Sequence, residues 1–446
     1  MHIRLMNTDM LASKCFAPTS PVVAREISSS CPLFSGKLNI SPHRGLGVTI
    51  KARSYSLLVP WFMESGLVMM QTAVPLLAVR LGASWIMLGT IGWVAQAIRT
   101  PICFTSGHLS ERVGRAKIIV PAAIVCAAMI AALGHAGSNR TVIILYAIAL
   151  ASIGAFYPPL QAKIGDVSER GQLRKNLGMF NVGWCVGGAV AAGIAAQLVG
   201  AGLSVLFYAG AGCCLMAAIL VLTWRGRPVS HVTIDEENPT PVGEDFGPLL
   251  FISRMGHFVG FFGFAVCRIL FPKVGLTSFG WSEELVAKVV ASFLWGLGIG
   301  ILIANVSPWW RGKLWPQIAS QCLMLICALG LALACSRMVY TVPMLAFARS
   351  PFVIGALFFG YGMAQSVAYT GALYYGLSSR KGKGTNTGIH ESLVAAAGVS
   401  ACLIGGIAAQ KIGPTAPFVL MAGLAGIAMV ATGAIWARQS ASRASP

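Results

Sequence analysis

Charged residues are scarce in this sequence, and acidic residues are the scarcest. Only 11% of its 446 residues are charged, with 14 Asp and Glu against 33 Lys and Arg, whereas 56% of the residues are hydrophobic. Soluble domains carry about 25% charged residues, so this composition excludes a soluble globular enzyme. The basic residues lie between long apolar runs and do not cluster in one domain, which argues against nucleic-acid binding.

Motifs of catalytic and cofactor sites are also lacking. The 12 cysteines include no C-x-x-C pair, and ten of them lie in apolar stretches, as expected of small buried side chains. No nucleotide-binding loop, metal-ligand spacing or nucleophile elbow occurs. The glycine-rich run Gly296–Gly300 falls inside an apolar stretch, where glycine serves close helix packing. We therefore expect no enzymatic activity, no metal and no cofactor.

Long apolar runs are abundant. Twelve runs reach the roughly 20 residues that a membrane-spanning helix needs, because only a helix satisfies its own backbone hydrogen bonds in lipid. They lie near 56–79, 85–106, 118–136, 141–162, 176–199, 203–224, 248–271, 286–305, 315–335, 352–377, 387–410 and 415–437. The apolar stretch 336–351 is interrupted by charges and prolines and is left outside the spans. We predict an all-α membrane protein.

Lys and Arg are distributed unevenly over the connections between these runs. Alternate connections and the C-terminal tail carry 17 on one side of the membrane and seven on the other. Basic residues accumulate on the cytoplasmic side, so we expect both termini to be cytoplasmic. We expect the protein in a bacterial plasma membrane. An organelle membrane is the alternative if the N-terminal segment is a transit peptide.

A long polar connection divides the twelve runs into two sets of six. We predict a cytoplasmic linker at 225–247 between bundles at 56–224 and 248–437, with a tail at 438–446. A sequence echo agrees with this division, because Gly193–Gly200 and Gly406–Gly413 share the pattern G-I-A-A-Q-x-x-G. So short a match also arises by chance among small residues. Parallel six-helix repeats around a central site are a transporter architecture.

The first 55 residues form a separate basic, serine-rich segment without an apolar run. Its composition is that of an organellar transit peptide, and the alternative is an over-extended gene model in which translation begins near Val48. With either origin we expect the segment to be disordered.

A short motif follows the second apolar run. It reads G-x-L-x-E-R-x-G-R, and its defining residues are Gly107, Glu111, Arg112, Gly114 and Arg115. Glycine at both ends permits a tight turn, and opposite charges stand close together. In a chain of twelve helices this motif resembles the signature loop of the major facilitator superfamily, and the resemblance covers residues 56–437.

The resemblance implies two six-helix bundles around a central cavity and transport by alternating access. It also implies that Glu111 meets the N-terminal end of the eleventh helix, and that Arg115 pairs with an acid at the end of the fourth, either Asp166 or Glu169. The chain departs from the family in having Glu at position 111, where Asp is more frequent. It also lacks the Gly-Pro step in the fifth helix that is typical of drug/proton antiporters, which disfavours drug antiport.

Ionisable residues inside membrane spans cost about 2.5 to 3.5 kcal/mol on insertion scales, so each is a site candidate. Glu64 lies roughly 12 Å into the first helix, on a stripe with Trp61, Val68 and Gln71. Arg99, on the antiparallel second helix, lies at a similar depth of about 10 Å. Two interpretations remain open for Glu64, a static ion pair with Arg99 or a role in proton or solute binding.

Other polar residues of the spans are weaker candidates. His257 is either packed or lines the cavity, and Arg268 is expected near the outer face with its side chain reaching water. His390 and Glu391 lie close to the cytoplasmic entrance, as gate residues or as solute ligands. Tyrosine and glutamine positions suited to hydroxyl-rich solutes are Tyr157, Gln161, Tyr361, Gln365 and Tyr369.

The function that these observations favour is secondary active transport of a small organic solute. We expect proton symport, because Glu64 and Glu391 are the acids within the spans. The expected partners are the solute, H+ and the lipid bilayer, and the expected state is a monomer. The alternative is a transport-inactive sensor or scaffold of the same fold. The two differ in whether the Glu64 stripe faces an open central cavity.

Overall fold

Twelve long helices make up the fold within the residues that the structure describes. The computed structural model describes residues 42–168, 172–224, 247–307, 309–336, 343–378 and 383–444, and no strand occurs within these ranges. The helices are α1 Pro42–Arg80, α2 Trp85–Val113, α3 Arg115–Leu133, α4 Asn139–Asp166, α5 Leu173–Leu198, α6 Leu203–Thr223, α7 Gly247–Ser278, α8 Glu283–Val306, α9 Trp315–Ala334, α10 Pro351–Ser378, α11 Lys383–Lys411 and α12 Ala416–Ala444. The prediction of an all-α protein with twelve helices is confirmed.

Two compact units divide the chain, Met1–Gly47 and Val48–Pro446. All twelve helices lie in the second unit except the first residues of α1. The predicted N-terminal segment up to residue 41, Glu169 and the linker residues 225–246 lie outside the described residues. The linker and bundle boundaries therefore stay predictions.

Eleven of the described helices are long and apolar enough to cross a membrane. The twelfth is α2, which has 29 residues but carries Gln96, Arg99 and several hydroxyl side chains. It also extends to Val113, seven residues beyond the predicted end of its apolar run, because its last two turns are polar. Residues Pro343–Arg349 form a short 3-10 helix before α10.

Small residues set the distances between neighbouring helices, as predicted for the glycine-rich run of α8. A Cβ added at Gly296 would overlap the carbonyl oxygen of Phe359 in α10, and one at Gly300 would overlap the Ser366 hydroxyl of the same helix. On the other side, a Cβ at Gly298 would lie 3.3 Å from the Cys185 carbonyl oxygen of α5. Without driving force from water, such close backbone approach is what holds membrane helices together.

The two bundles meet along two equivalent helix pairs, α5 with α8 and α2 with α11. The glycines of the sequence echo lie at these pairs. A Cβ at Gly193 in α5 would lie 3.5 Å from the indole nitrogen of Trp295 in α8. A Cβ at Gly406 in α11 would lie 2.9 Å from the Trp85 carbonyl oxygen of α2. Equivalent positions of the two echoes support a repeat over a chance match.

Candidate functional site

A cavity of about 820 Å³ lies between the bundles. Its walls come from α1, α2, α4 and α5 of the first bundle and from α7, α8, α10 and α11 of the second. This volume lies in the range of sites that enclose small organic molecules. The central cavity implied by the family resemblance is therefore present.

Among the described residues, the cavity opens at one end of the helices. We call the end that carries residues 107–117 the motif end. The wall residues Phe104 and His108 are exposed there. At the opposite end, contacts between described residues connect the bundles. They include the Arg80–Glu283 ion pair, the hydrogen bond from Lys273 Nζ to the Ala83 carbonyl oxygen, and the hydrogen bond from the Trp85 N–H to Gln410 Oε1 at 3.2 Å. The Lys273 ammonium also lies over the Trp85 ring, 5.2 Å from its centroid.

Glu64 lies on the wall of this cavity, on α1. Its side chain is only 6% exposed, and one carboxylate oxygen accepts a hydrogen bond of 2.8 Å from the Tyr157 hydroxyl of α4. Gly188 of α5 makes room for it, because a Cβ there would lie 3.2 Å from Glu64 Cγ. The carboxylate is thus held between three helices of one bundle and faces the space between the bundles.

Two arginines lie within electrostatic range of Glu64, namely Arg268 and Arg99. Arg99 lines the cavity as predicted, but no ion pair within 4.0 Å joins it to Glu64 in the described chain. The expected static ion pair is therefore not formed. Instead, Arg99 lies within electrostatic range of both Glu64 and Glu391 of α11, beside the Cys103 thiol.

The position of Arg268 differs from the one that the sequence predicts. Its side chain was expected to reach water at the outer face, but it is 4% exposed. It lies in a π-helical turn of α7, Val266–Leu270, and its guanidinium covers the Phe264 ring at 4.9 Å. The wider turn shifts the side chains that follow it, which a regular 1.5 Å rise does not predict. The second bundle thus places a buried cation behind the cavity wall.

Aromatic side chains cover much of the remaining wall. Trp184 of α5 and Tyr369 of α10 stack across the two bundles, with ring centroids 5.5 Å apart and planes inclined by 14°. Phe180, Phe261 and Phe264 line the cavity around them. Of this group, only Tyr369 was a candidate from the sequence, because a buried aromatic residue of a membrane helix gives no signal of its own.

The remaining predicted site residues divide into two groups. Gln71, Gln161, His390 and Glu391 line the cavity. The residues away from the wall are Trp61, which packs against Gly187, together with His257, Tyr361 and Gln365. Each of these four has a packing partner.

The Tyr361 hydroxyl donates to the Val259 carbonyl oxygen at 2.8 Å, and Gln365 fills the space over Gly260. The His257 ring stacks on His390, with ring centroids 4.1 Å apart and planes inclined by 21°. His257 therefore forms the layer behind a cavity residue. Tyr361 and Gln365 connect α10 to α7.

The motif has part of the geometry that the family resemblance implies. Arg115 Nε donates to Asp166 Oδ2 at 3.1 Å, which is one of the two pairings expected. Gly114 supplies the turn with φ of 100°, where only glycine is unstrained. Gly107, expected to share in the turn, lies instead within α2.

The acidic residue of the motif is not docked. Glu111 is 63% exposed, and its carboxylate lies 3.9 Å from Arg115 in the next turn of the chain. No contact joins it to α11 among the residues described. Arg112 is also exposed. The implied contact with the N-terminal end of α11 stays a prediction, because the side chains there lie outside the described residues.

Comparison with known proteins agrees with this architecture. A model of the Major Facilitator Superfamily matches residues 73–375. No curated protein sequence matches the chain. Among solved structures, a bacterial homologue of the human lysosomal transporter Spinster, inward-facing and occupied, aligns over 90% of this chain and 96% of its own at 16% identity, with a TM-score of 0.59.

Two further structures show the same fold. The unoccupied inward-facing form of the Spinster homologue aligns over 86% of this chain and 94% of its own at 19% identity, with a TM-score of 0.59. A variant of the nucleoside transporter NupG aligns over 87% of this chain and 99% of its own at 12% identity, with a TM-score of 0.57. These identities bear on the fold alone. By its family match and its twelve helices around a central cavity, this chain belongs to the Major Facilitator Superfamily and is an integral membrane transport protein.

Proposed function

We propose that this protein is a secondary active transporter that carries a small organic solute together with a proton by alternating access. The observation that carries the proposal is the position of Glu64, a buried carboxylate on the wall of a cavity between two bundles. Both termini are assigned to the cytoplasm by the distribution of Lys and Arg. The structure then corresponds to an inward-facing state, open at the motif end.

The proton carrier in this proposal is Glu64. The groups that face it most directly are Tyr157 of α4, Arg99 of α2 and Arg268 of α7. Three further groups lie within electrostatic range of Glu64, namely Cys185 of α5, Cys214 of α6 and Tyr369 of α10. Tyr157 and the two arginines favour the ionised carboxylate once the proton leaves. Burial favours the protonated form. These opposing effects are what a carboxylate needs in order to bind and release a proton during one transport cycle.

Coupling follows if the bundles exchange states only when Glu64 is protonated and solute is bound, or when both are absent. An ionised Glu64 with solute bound would leave unbalanced charge in a low-dielectric cavity, so that state is poorly populated. A transport-inactive sensor or scaffold has no need of an open cavity that reaches a buried carboxylate. The geometry therefore favours the transporter.

Uptake by vesicles containing the purified protein tests the proposal. Radiolabelled sugars, organic acids and amino acids are screened with an imposed pH gradient, and the solute that accumulates is then used with Glu64→Gln. This variant mimics the protonated form, so net uptake driven by the gradient should fall while exchange of labelled for unlabelled solute continues. Glu284→Gln is the control, because this acid pairs with Lys288 of its own helix outside the cavity.

Different outcomes of this experiment would contradict proton coupling, the role of Glu64 and transport itself. Wild-type uptake that ignores the pH gradient would contradict proton coupling. Loss of both net uptake and exchange in Glu64→Gln would indicate solute contact or a folding role for this side chain. No uptake of any solute by well-folded protein would favour the sensor or scaffold.

A further inference from the structure

We infer that the solute is an organic anion with a planar aromatic body, whose acidic group binds Arg99 and whose ring lies against Trp184 and Tyr369. One step of this inference, the charge balance of the cavity, rests on the proposed proton symport. Its other steps rest on the geometry of the cavity wall.

Arg99 is the available anion ligand. In the described chain it is the only lysine or arginine of the cavity wall, and it forms no ion pair within 4.0 Å there. Its Nε atom is buried and has no hydrogen-bond partner among the residues described. A guanidinium stays charged at any physiological pH and offers a planar pair of donors that matches a carboxylate or phosphate. A buried donor without a partner is costly, and a solute acid would supply the partner.

The two acids of the wall are less suited to bind a cationic solute. Glu64 already accepts a hydrogen bond from Tyr157 and is balanced electrostatically by Arg268 behind Phe264. Glu391 is exposed at the wall, so its charge is solvated by water. Arg99 is thus the one cation of the described wall, and its buried Nε is available to donate to a solute acid.

The charge balance of the cavity also indicates that the solute is an anion. With Glu64 and Glu391 ionised, the charges of Arg99 and Arg268 bring the sum of this group of four to zero. A proton on Glu64 adds one positive charge, and a monoanionic solute restores neutrality. A cation carried with the same proton would leave two uncompensated charges in a low-dielectric space, which is strongly unfavourable. Under symport, the cavity therefore suits one proton with one monoanion.

The aromatic wall indicates the body of the solute. Trp184 and Tyr369 present nearly parallel rings from opposite bundles, and Phe180, Phe261 and Phe264 surround them. Stacked and edge-to-face arrangements with a flat ring are favourable beyond the area that they bury. A flat aromatic ring therefore matches this wall.

Binding of four matched probes to the full-length purified protein tests the inference. The probes are 2-naphthylacetate, its neutral amide, the cation 2-(2-naphthyl)ethylamine and the saturated decahydro-2-naphthylacetate. Calorimetry in buffers of different ionisation enthalpy gives both affinity and the number of protons taken up. We expect the acetate to bind about tenfold or more tightly than the amide. The amine and the saturated acetate should each bind more weakly than the naphthylacetate by a similar factor.

Substitutions test whether Arg99 and Trp184 cause the expected preference for a planar anion. Arg99→Gln should bind the acetate and the amide equally, with amide affinity at the wild-type value as evidence of a folded site. Arg99→Lys keeps the charge and should retain part of the anion preference, which provides a test if the glutamine variant does not fold. Trp184→Leu should lose the preference for the planar acetate over the saturated one while keeping the preference for anions. Arg140→Gln, an exposed arginine at the start of α4, should behave as wild type.

The outcomes separate this inference from the proposed function. Anion preference with about one proton taken up supports both. Anion preference without proton uptake supports the inference and contradicts coupling through Glu64. Equal binding of acetate and amide, tighter binding of the amine, or no binding of any probe by a protein that accumulates another solute overturns the inference. An Arg99→Gln variant that keeps the anion preference also overturns it.

Discussion

The ion pair between Arg80 and Glu283 should bias the equilibrium between the two open states. Arg80 ends α1 and Glu283 begins α8, and the guanidinium contacts both carboxylate oxygens, one of them at 2.7 Å. The pair connects the two bundles at the end where the cavity is closed. Alternating access requires this end to open, so the pair must break in the other state. Glu283→Gln should therefore shift the population toward the state that is open opposite the motif.

The size of this shift follows from exposure and geometry. The side chains of Arg80 and Glu283 are 51% and 19% exposed, and exposed pairs contribute about 0.2 to 1 kcal/mol. Bidentate geometry places this pair near the upper value, and about 1 kcal/mol is roughly a fivefold change in population. Glu283 also interacts with the N-terminus of α8. That interaction is present in both states and cancels from the difference.

Neighbouring Glu284 offers a matched control. Glu284→Gln removes the same charge from the same helix end, but its carboxylate pairs with Lys288 of α8 at 2.5 Å and does not join the bundles. The reporter is Leu294→Cys, a wall position in α8, labelled by a membrane-impermeant maleimide applied from the side opposite the motif. Mass spectrometry of the peptides separates this cysteine from the native ones.

Labelling of the reporter should be up to about fivefold faster with Glu283→Gln and unchanged with Glu284→Gln, because its rate follows the population open at that side. Equal acceleration by both substitutions would show that charge at the helix end, and not the pair, is responsible. No acceleration by either would refute the assignment of this contact as one that breaks during transport.

Glycine packing, the motif ion pair and the exposed motif acid give three further tests. Gly296→Ala should abolish monodisperse protein on size exclusion, because its Cβ would overlap a carbonyl oxygen of α10, whereas Gly426→Ala, with nothing within 4 Å of the added Cβ, should not. Asp166→Asn should lower stability in thermal denaturation by about 1 kcal/mol, since it removes the closer of the two acids beside the partly buried Arg115; an unchanged midpoint would contradict this. Glu111→Gln should slow vesicle transport at normal folded yield, because the carboxylate is exposed here and is required only when the motif end closes; unchanged transport would remove the motif from gating.

The helices were predictable because each one must independently provide a long apolar run. Their ends were less predictable, since polar turns continue a helix beyond the bilayer, as α2 does to Val113. The π-helical turns of α7 had no signal in the sequence, and α7 extends to Ser278 through them instead of ending near 271. Hydropathy thus predicts which segments enter the membrane, and backbone detail decides where they end.

The site was predictable only along single helices. Helical spacing puts Glu64 and Gln71 on one face of α1, and the structure shows that both line the cavity, whereas Trp61 and Val68 of the same stripe do not. The hydroxyl that binds Glu64 comes from Tyr157, 93 residues away, and no periodicity within one helix connects the two. The same limit applies to the depth match of Glu64 and Arg99. Equal depth on neighbouring helices places both on the cavity wall, but it does not determine the angle at which their side chains meet.

Neutral polar residues were a mixed guide to the cavity, because Gln71 and Gln161 line it whereas Tyr361 and Gln365 lie behind its wall. Tyr361 bonds a backbone carbonyl of the neighbouring helix, and such a bond satisfies it fully in the protein interior. A single hydrogen bond does not offset the cost of burying a charged side chain. Such a side chain needs water, a counter-charge or a bound solute beside it. Glu64, Arg99 and Glu391 accordingly lie at the cavity, and Arg268 lies behind its wall within electrostatic range of Glu64. In a membrane protein, a charged residue of a span is therefore a stronger pointer to the site than a tyrosine such as Tyr361, whose hydroxyl the neighbouring helix already satisfies.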